Sequence, residues 1–161
     1  MKINHLGVLT GGGDCPGLNS VIRAVTKTAI LKYGMEVIGF IDGFRGLVEN
    51  NYIQLDLRRV SGIGHTGGTI LGTTNRDNPF NFMTMVKGIE QASDQSDRAV
   101  SNMRNLGLDG LIVIGGDGSL NIAYKFYQKG VKIVGVPKTI DNDLSATDVT
   151  FGFNTAVNTA S

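Results

Sequence analysis

Three clusters of glycine, each beside a short apolar run, restrict the fold of this chain more than any other feature. They lie at positions 11–13, 67–68 and 115–118, and they belong to a total of 23 glycines in 161 residues. Short apolar runs bounded by turn residues are typical of buried strands in parallel sheets. Glycine beside such a run indicates a loop at a strand end rather than a flexible linker. We therefore expect strands that end in glycine-rich loops.

Strand and helix patterns alternate along the rest of the sequence. Helical periodicity predicts helices over 18–34 and 119–130, a long helical segment over Phe80–Leu106, and a helix that begins near Gly152. Strand patterns occur at 6–11, 35–41, 51–57, 67–73, 108–116 and 131–136. This alternation predicts an α/β fold, a three-layer α/β/α lobe with a mostly parallel sheet. The last helix reaches Ser161 without a cap, and we interpret the chain as truncated in a helix.

The composition excludes several classes of protein. Hydrophobic residues make up 41% and charged residues 18% of the chain, as in a globular domain rather than a disordered segment. A net charge of +1 with scattered basic residues gives no reason to expect nucleic acid or a membrane as a partner. Cys15 is the only cysteine, which excludes an internal disulfide and fits a reducing cytoplasm. No signal peptide or membrane-spanning stretch is recognised.

Two glycine-rich loops carry the chemistry expected at phosphate sites. TGGGDCPGLN (10–19) lies between a predicted strand and a helix, where backbone N–H groups and the helix N-terminus favour an anion. It matches neither the Rossmann nor the P-loop pattern. GGDGS (115–119) occupies the same kind of position, and Asp117 is suited to hold Mg²⁺ there. The alternatives are glycines that only bend the chain and an aspartate or serine N-cap on the next helix.

A third polar segment follows the strand predicted to end at Pro137. VPKTIDNDL (136–144) places Asp141 and Asp143 where a phosphoryl transfer needs a carboxylate to take a hydroxyl proton, with Lys138 as a cation. The alternative is a turn, because Asn and Asp bond their own backbone in turns. Arg76 in LGTTNRDNPF is suited to bridge phosphate oxygens, or is simply an exposed loop arginine.

Together these segments resemble the 6-phosphofructokinase family. TGGGDCPGLN, GGDGS and PKTIDND are similar to its nucleotide loop, its metal and nucleotide loop and its sugar-phosphate loop, in the family's order. GGTILGT and the arginine that follows it strengthen the match, which covers essentially the whole chain. The resemblance implies a transferase that phosphorylates the 1-hydroxyl of fructose 6-phosphate with ATP and Mg²⁺ in glycolysis, as a cytoplasmic homo-oligomer (tetramer or dimer).

The resemblance also implies roles for individual residues. Asp141 would be the general base, Thr139 would bind the same end of the sugar, and Asp143 would be a supporting carboxylate. Asp117 would bind Mg²⁺. The residues expected around the nucleotide phosphates are Gly13, Gly116, Gly118 and Ser119, with Arg76 near the transferring group. On the first helix, Arg23 and Lys27 match basic effector-binding positions of allosteric bacterial members, or they form a solvated helix face.

The sequence departs from the best-known bacterial pattern at two places. TTNRD is one residue longer around Arg76, which leaves the position of that side chain open. Lys138 stands where common ATP-using bacterial enzymes have glycine. In the family, pyrophosphate users combine that lysine with aspartate at the position of Gly118, where the side chain would crowd the α-phosphate of ATP. The pair of Gly118 with Lys138 favours ATP, and pyrophosphate remains the alternative donor.

The resemblance sets expectations for the whole chain. Residues 1–161 would be the N-terminal nucleotide-binding lobe of a longer subunit, with the second lobe absent, and we expect it to be inactive or nearly so alone. Two further alternatives are a relative of NAD or diacylglycerol kinases, which share a GGDG loop but lack PKTIDND, and a non-catalytic module that binds nucleotide phosphates. Asp141 distinguishes the last, because its loss should abolish turnover but not binding.

Overall fold

The computed structural model describes residues 4–145 and 147–160, which fold around one six-stranded sheet and a separate hairpin. The strands are β1 (His5–Thr10), β2 (Glu36–Phe40), β3 (Tyr52–Leu55), β4 (Phe82–Val86), β5 (Ile89–Ser93), β6 (Gly110–Gly115), β7 (Ile133–Thr139) and β8 (Phe151–Gly152). The helices are α1 (Leu18–Tyr33), α2 (Phe44–Glu49), α3 (Ser96–Asn105), α4 (Asp117–Gln128) and α5 (Phe153–Ala160). A short 3₁₀ helix covers Ile63–His65.

The large sheet is mostly parallel, as the sequence predicts. Its strand order is β3-β2-β1-β6-β7-β8, and β3 alone among these strands runs antiparallel to its neighbour. The carboxyl ends of β1, β6 and β7 therefore lie at the same edge of the sheet. In open α/β sheets this edge is where ligands bind.

Alternating side chains of the central strands build one core on each face of the sheet. Leu9 of β1 faces the core formed with α2, α3 and α4, which also contains Phe126. The preceding residue, Val8, faces the other core, where Leu18 and Ile22 of α1 pack. Helices thus cover both faces of the sheet, and the predicted three-layer arrangement is confirmed. Among the described residues, none of the helices combines the length and apolar composition that a membrane crossing requires.

Helix α1 ends where the sequence predicts. Gly34 adopts the left-handed conformation with φ of 63°, and its N–H donates to the carbonyls of Ala29 and Ile30. Glycine is the residue that adopts this conformation without steric cost, so it commonly ends helices in this way. The position of Gly34 therefore fixes the connection to β2.

Two predicted segments differ in the structure. Residues 67–73, predicted as a strand, form a loop. The long helix predicted over Phe80–Leu106 is wrong in its first half, where β4 and β5 form an antiparallel hairpin, and only α3 is helical. The hairpin turn consists of Lys87 and Gly88, both with positive φ, which suits the twist of two antiparallel strands.

Strand β7 begins two residues later than predicted, at Ile133, and continues through Pro137 to Thr139. Pro137 pairs with Gly115 of β6, and the parallel partner β8 joins only at Lys138 and Thr139. In the described residues, Pro137 therefore has a neighbouring strand on one side only, where a missing N–H is tolerated. The extension carries Lys138 and Thr139 to the ligand-binding edge.

Candidate active site

The loops that follow β1, β6 and β7 meet in one cleft of about 660 Å³ at the carboxyl edge of the sheet. The first of these segments lies about a hundred residues before the other two, and the parallel order β1-β6-β7 places all three strand ends side by side. Nine of the ten predicted site residues line this cleft: Gly13, Gly116, Asp117, Gly118, Ser119, Lys138, Thr139, Asp141 and Asp143.

The glycines of the two loops have different reasons to be glycine. An added Cβ at Gly11 or Gly115 would lie 2.5 Å from an atom of Ser119, so close packing against α4 requires the absence of a side chain. At Gly13 and Gly118, no heavy atom lies within 4 Å of an added Cβ, apart from the adjacent residues and the backbone of the same helix. The fold does not need glycine for packing at these two positions, and the open space belongs to the cleft.

Helix α4 directs its first turn at the cleft. It begins at Asp117, and its N-cap residue is Gly116, with no side-chain cap hydrogen bond. The alternative of an aspartate or serine N-cap is therefore wrong. The first N–H groups of a helix have no partner within the helix and favour anions. Ser119 is only 7% exposed and packs between Gly11 and Gly115, so its contact with a ligand is limited.

Lys138 is a nearly buried cation at the centre of the site. It is 6% exposed, and its Nζ donates a hydrogen bond to the carbonyl oxygen of Gly13. An added Cβ at Gly12 would lie 3.7 Å from the same Nζ. The ammonium group is thus held against the first glycine loop, although it belongs to the strand two places away in the sheet.

A hydrogen-bonded turn arranges the two carboxylates of the third segment. The hydroxyl of Thr139 donates to Asp143 Oδ1 over 3.0 Å and accepts from the backbone N–H of Asp141 over 3.1 Å. No hydrogen bond from the described residues reaches the side chain of Asp141, which is exposed in the cleft. Its carboxylate is therefore available to a ligand, whereas that of Asp143 helps to hold the turn.

Asn142 stabilises a turn, as the turn alternative for segment 136–144 predicts for an asparagine. Asn142 has φ of 51°, and its Oδ1 accepts from the backbone N–H of Thr150 over 3.0 Å and from its hydroxyl over 3.3 Å. The Thr150 hydroxyl also lies 3.0 Å from the carbonyl of Thr139, and the residue is 1% exposed. Thr150 thereby fixes the loop from behind, while the aspartates point to the cleft.

The loop at residues 66–74, which includes the strand predicted over 67–73, supports the first glycine loop instead. The Gly12 N–H donates to the carbonyl of Thr74 over 3.1 Å, and the Thr73 hydroxyl donates to the Gly12 carbonyl over 2.6 Å. The Thr10 hydroxyl donates to the carbonyl of Gly72 over 2.7 Å. Two of these bonds occupy backbone carbonyls, those of Gly72 and Thr74, that a strand would offer to a neighbour.

The cleft carries an excess of negative charge. Among the described residues that line it, five are aspartates and two are lysines: Asp14, Asp77, Asp117, Asp141, Asp143, Lys125 and Lys138. No group of three or more His, Cys, Asp or Glu in the described residues is arranged to hold a metal ion. Mg²⁺ that binds together with phosphate oxygens needs only one or two carboxylates and water. The set of carboxylates fits such an ion, with Asp117 at the start of α4.

Comparison with known proteins agrees with this geometry, since residues 5–161 match the phosphofructokinase family. The chain belongs to that family. It is 59% identical over 159 residues to ATP-dependent 6-phosphofructokinase 2 of Clostridium perfringens, covering 98% of the chain and 43% of that protein. It is 50% identical over 156 residues to a pyrophosphate–fructose 6-phosphate 1-phosphotransferase of Streptomyces coelicolor, covering 96% of the chain and 42% of that protein.

The fold of this phosphofructokinase family member also matches solved structures. Phosphofructokinase of Pichia pastoris in the T-state superposes with a TM-score of 0.79 at 32% identity, covering 95% of this chain and 17% of that one. The chain therefore spans less than half the length of the curated relatives named here. The predicted family is confirmed, and the relatives' names include both phosphoryl donors.

Arg76 does not line the cleft of this family member. It borders a smaller neighbouring cavity of about 210 Å³, together with Asp42, Arg45 and Thr74. Its backbone N–H donates to the Thr74 hydroxyl over 3.2 Å. A direct role of Arg76 in phosphate binding remains a prediction. Arg23 and Lys27, half-buried on α1, are likewise not among the residues that line the cleft.

Sequence reasoning missed several polar residues of the cleft. Asn121 and Lys125 lie on α4 one and two turns after Asp117, so helical spacing from GGDGS is a signal that would have found them. Asn121 Nδ2 donates to Asp117 Oδ2 over 3.1 Å. The other cleft residues that were not predicted are Phe44, Thr74, Asn75, Asp77, Asn78, Ile122 and Ile140.

Cys15 packs inside the first glycine loop and has a structural role. It is 3% exposed, and its Sγ contacts the carbonyl oxygens of Pro16 and Phe151. Burial raises the pKa of the thiol above its ordinary value, and the positive charge of Lys138 opposes this rise. A thiol with a raised pKa is a poor nucleophile at neutral pH.

Proposed function

We propose that this chain is the N-terminal nucleotide-binding lobe (1–161) of an enzyme that transfers a phosphoryl group from ATP to the 1-hydroxyl of fructose 6-phosphate. The product of that reaction is fructose 1,6-bisphosphate. The proposal rests on family membership and above all on one structural observation. The first glycine loop, which lies about a hundred residues before the second, lines the same cleft as the second glycine loop and the Asp141 loop. Donor and acceptor sites must adjoin for a direct transfer.

Asp141 is the residue that we assign as the general base. Its carboxylate lies in the cleft without a hydrogen bond from the described residues, whereas the hydroxyl of Thr139 is engaged by Asp143 and by the Asp141 N–H. A base must reach the proton that it removes. Thr139 and Asp143 hold the turn and form the wall against which we place the sugar, next to Lys138.

Mg²⁺ is the metal that the proposal includes. Asp117 would hold it, and the hydrogen bond from Asn121 fixes the orientation of that carboxylate. Bound there, the ion would neutralise charge on the phosphates and assist the departure of the leaving group. The first turn of α4 and the backbone of Gly13, Gly116 and Gly118 would bind the phosphates themselves.

ATP is the donor that the site favours. The space beside Gly118 is open to a nucleotide, since no heavy atom outside the adjacent residues and the helix backbone lies within 4 Å of an added Cβ. Lys138 is the feature shared with pyrophosphate users in the family pattern, and it keeps pyrophosphate as the second candidate. A competition experiment that compares the affinity of the chain for ATP with its affinity for pyrophosphate distinguishes the two donors. If the chain bound pyrophosphate as tightly as ATP, the site would have no preference for the adenosine group, and the assignment of ATP would be contradicted.

We further propose that the full-length enzyme is a cytoplasmic homo-oligomer under allosteric control, as the family pattern implies. The free thiol of Cys15 suits that compartment. We expect little turnover from these 161 residues alone, because both curated relatives named above are more than twice as long. A turnover assay therefore needs a chimera in which residues 1–161 replace the matching part of the Clostridium perfringens protein.

The test compares Asp141→Asn with Asp148→Asn, an exposed aspartate that does not line the cleft. In the chimera, Asp141→Asn should lower kcat by about 10²–10⁴-fold, the usual loss for a missing general base. ATP binding by the 161-residue chain, measured by calorimetry, should stay within about twofold, because the amide keeps the shape of the side chain. Asp148→Asn should change neither quantity.

Two outcomes would contradict the proposal. Turnover that survives Asp141→Asn would remove Asp141 from the role of base. A wild-type chimera that binds ATP but phosphorylates no sugar would favour the non-catalytic binding module.

A further inference from the structure

Asp77 is a carboxylate in a place where an anionic ligand would be repelled. It lines the cleft beside Thr74 and Asn75, yet its side chain is only 8% exposed. The cleft already has more aspartates than lysines among its described lining residues. A buried, unpaired carboxylate at such a position would oppose the binding of phosphates.

Arg45 neutralises this carboxylate in a two-point contact. Its Nε donates to Asp77 Oδ2 and its Nη2 donates to Asp77 Oδ1, each over 3.2 Å. Arg45 lies in the first turn of α2, is about half exposed, and is the only residue found to form an ion pair with Asp77 in the described part of the chain. The hydrogen bond from Arg45 to Asp77 is the main cause that raises the pKa of the guanidinium above its ordinary value.

The same contact anchors the loop that borders the cleft. This loop is bound to the first glycine loop at Thr74, whose carbonyl accepts from the Gly12 N–H. Three residues later, Asp77 binds it to α2 through Arg45. The two anchors fix the ends of a short arc that contains Asn75 and Arg76.

We propose that Arg45 is a positioning residue for polyphosphate binding: its pairing with Asp77, which also joins the loop of residues 74–77 to α2, removes a repulsive charge from the cleft. The inference rests on the proposed function, because it assumes a phosphate-bearing ligand. Neither Arg45 nor Asp77 belongs to the glycine and aspartate motifs from which the family was recognised. A bidentate guanidinium–carboxylate pair is well suited to this task, since the planar fork of arginine matches the two carboxylate oxygens and lysine has no such fork.

The test measures binding of ATP and of inorganic tripolyphosphate to the 161-residue chain and four variants. These are Arg45→Gln, Asp77→Asn, the double variant Arg45→Gln/Asp77→Asn, and Arg45→Lys. Arg58→Gln is the matched control, because it removes the same charge from an exposed position that does not line the cleft. Thermal unfolding of each variant shows that it is folded.

We expect Arg45→Gln to weaken both ligands about tenfold at low salt, because Asp77 is left unpaired. The double variant should return to within about threefold of wild type, since the uncompensated charge is gone. Arg45→Lys should lie between, and Arg58→Gln should match wild type. The deficit of Arg45→Gln should shrink to about threefold at 0.5 M salt, because repulsion is screened whereas a purely structural defect is not.

The outcomes separate the two proposals. Three results would each overturn the role of Arg45 and leave the proposed function untouched. They are an Arg45→Gln variant that binds as well as wild type, a double variant that binds as weakly as Arg45→Gln, and a binding deficit of Arg45→Gln that does not change with salt. A folded wild-type chain that binds neither ATP nor tripolyphosphate would contradict the proposed function, and the role of Arg45 with it.

Discussion

The two ends of the sheet use aspartate in opposite ways. At the amino end of β6, Asp109 Oδ2 accepts the backbone N–H groups of Asn4 and His5 over 2.7 and 3.1 Å. At the carboxyl end of β7, no hydrogen bond from the described residues reaches the carboxylate of Asp141. The first aspartate ties the start of β1 to that of β6. The second is left for a ligand, and this difference distinguishes a structural carboxylate from a candidate catalytic one.

The glycines of the carboxyl end show the same division within one loop. Gly115 is required by packing, because an added Cβ would meet Ser119 at 2.5 Å. Gly118, three residues later, has open space beside it. A cluster of glycines thus contains positions that serve the fold and positions that serve a ligand, and the two kinds should respond differently to substitution.

The largest effect should come from a charge placed in the open space. Gly118→Asp puts a carboxylate beside the expected phosphates, and like charges in a cleft cost several kcal/mol. ATP binding should weaken about 100-fold or more, measured by calorimetry on the 161-residue chain. Stability should change little, since the side chain meets no neighbour and an acidic residue in the first turn of a helix is favourable.

Gly118→Ala serves as the control, with a loss of ATP affinity far smaller than that of aspartate. Unchanged ATP affinity in Gly118→Asp would place the nucleotide elsewhere and remove the argument for ATP over pyrophosphate.

A smaller effect, of opposite kind, should follow from Gly115→Ala. The added methyl group collides with Ser119 in a well-packed helix–strand contact. Overpacking of this kind costs about 1–3 kcal/mol. Urea unfolding should show that loss for Gly115→Ala, whereas Gly118→Ala should unfold almost as wild type does. Equal losses for the two variants would mean that the two glycines do not differ in role.

The smallest effect concerns the structural aspartate and depends on pH. Hydrogen bonds from the backbone of Asn4 and His5 lower the pKa of Asp109 below its ordinary value. A carboxyl group with a lowered folded-state pKa stabilises the fold above the unfolded pKa, and this stabilisation is lost as pH falls through the folded value. Asp109→Asn should therefore lower Tm at pH 7, and the difference from wild type should shrink below about pH 4.

Thermal unfolding of both proteins between pH 7 and pH 3 provides the measurement. A difference in Tm that stays constant over this range would show that the charge of Asp109 is not what stabilises the chain. Asp148→Asn, at an exposed position, is the control for general effects of charge.

Strong local signals made part of the fold predictable. Helix α1 has apolar residues at helical spacing and a glycine stop at Gly34, and β6 is a short apolar run between turn residues. The errors arose where local signals were weak or were outweighed. The hairpin of β4 and β5 depends on the two-residue turn Lys87–Gly88, which is easily read as a polar break in a helix. The segment 67–73 forms no strand, and the carbonyls of Gly72 and of the adjoining Thr74 instead accept from Thr10 and Gly12.

The sequence by itself determined which residue types follow the strands: glycine loops after β1 and β6, and a lysine and two aspartates at the end of β7. These motifs also determined the family to which the chain belongs. Only the tertiary structure decided their relations. In the structure Arg76 lies outside the cleft, Lys125 lines it, and Arg45 forms an ion pair with Asp77. The physical reason is that spacing along a chain fixes neighbours within one helix or strand, whereas contacts between separate loops depend on the strand order of the whole sheet.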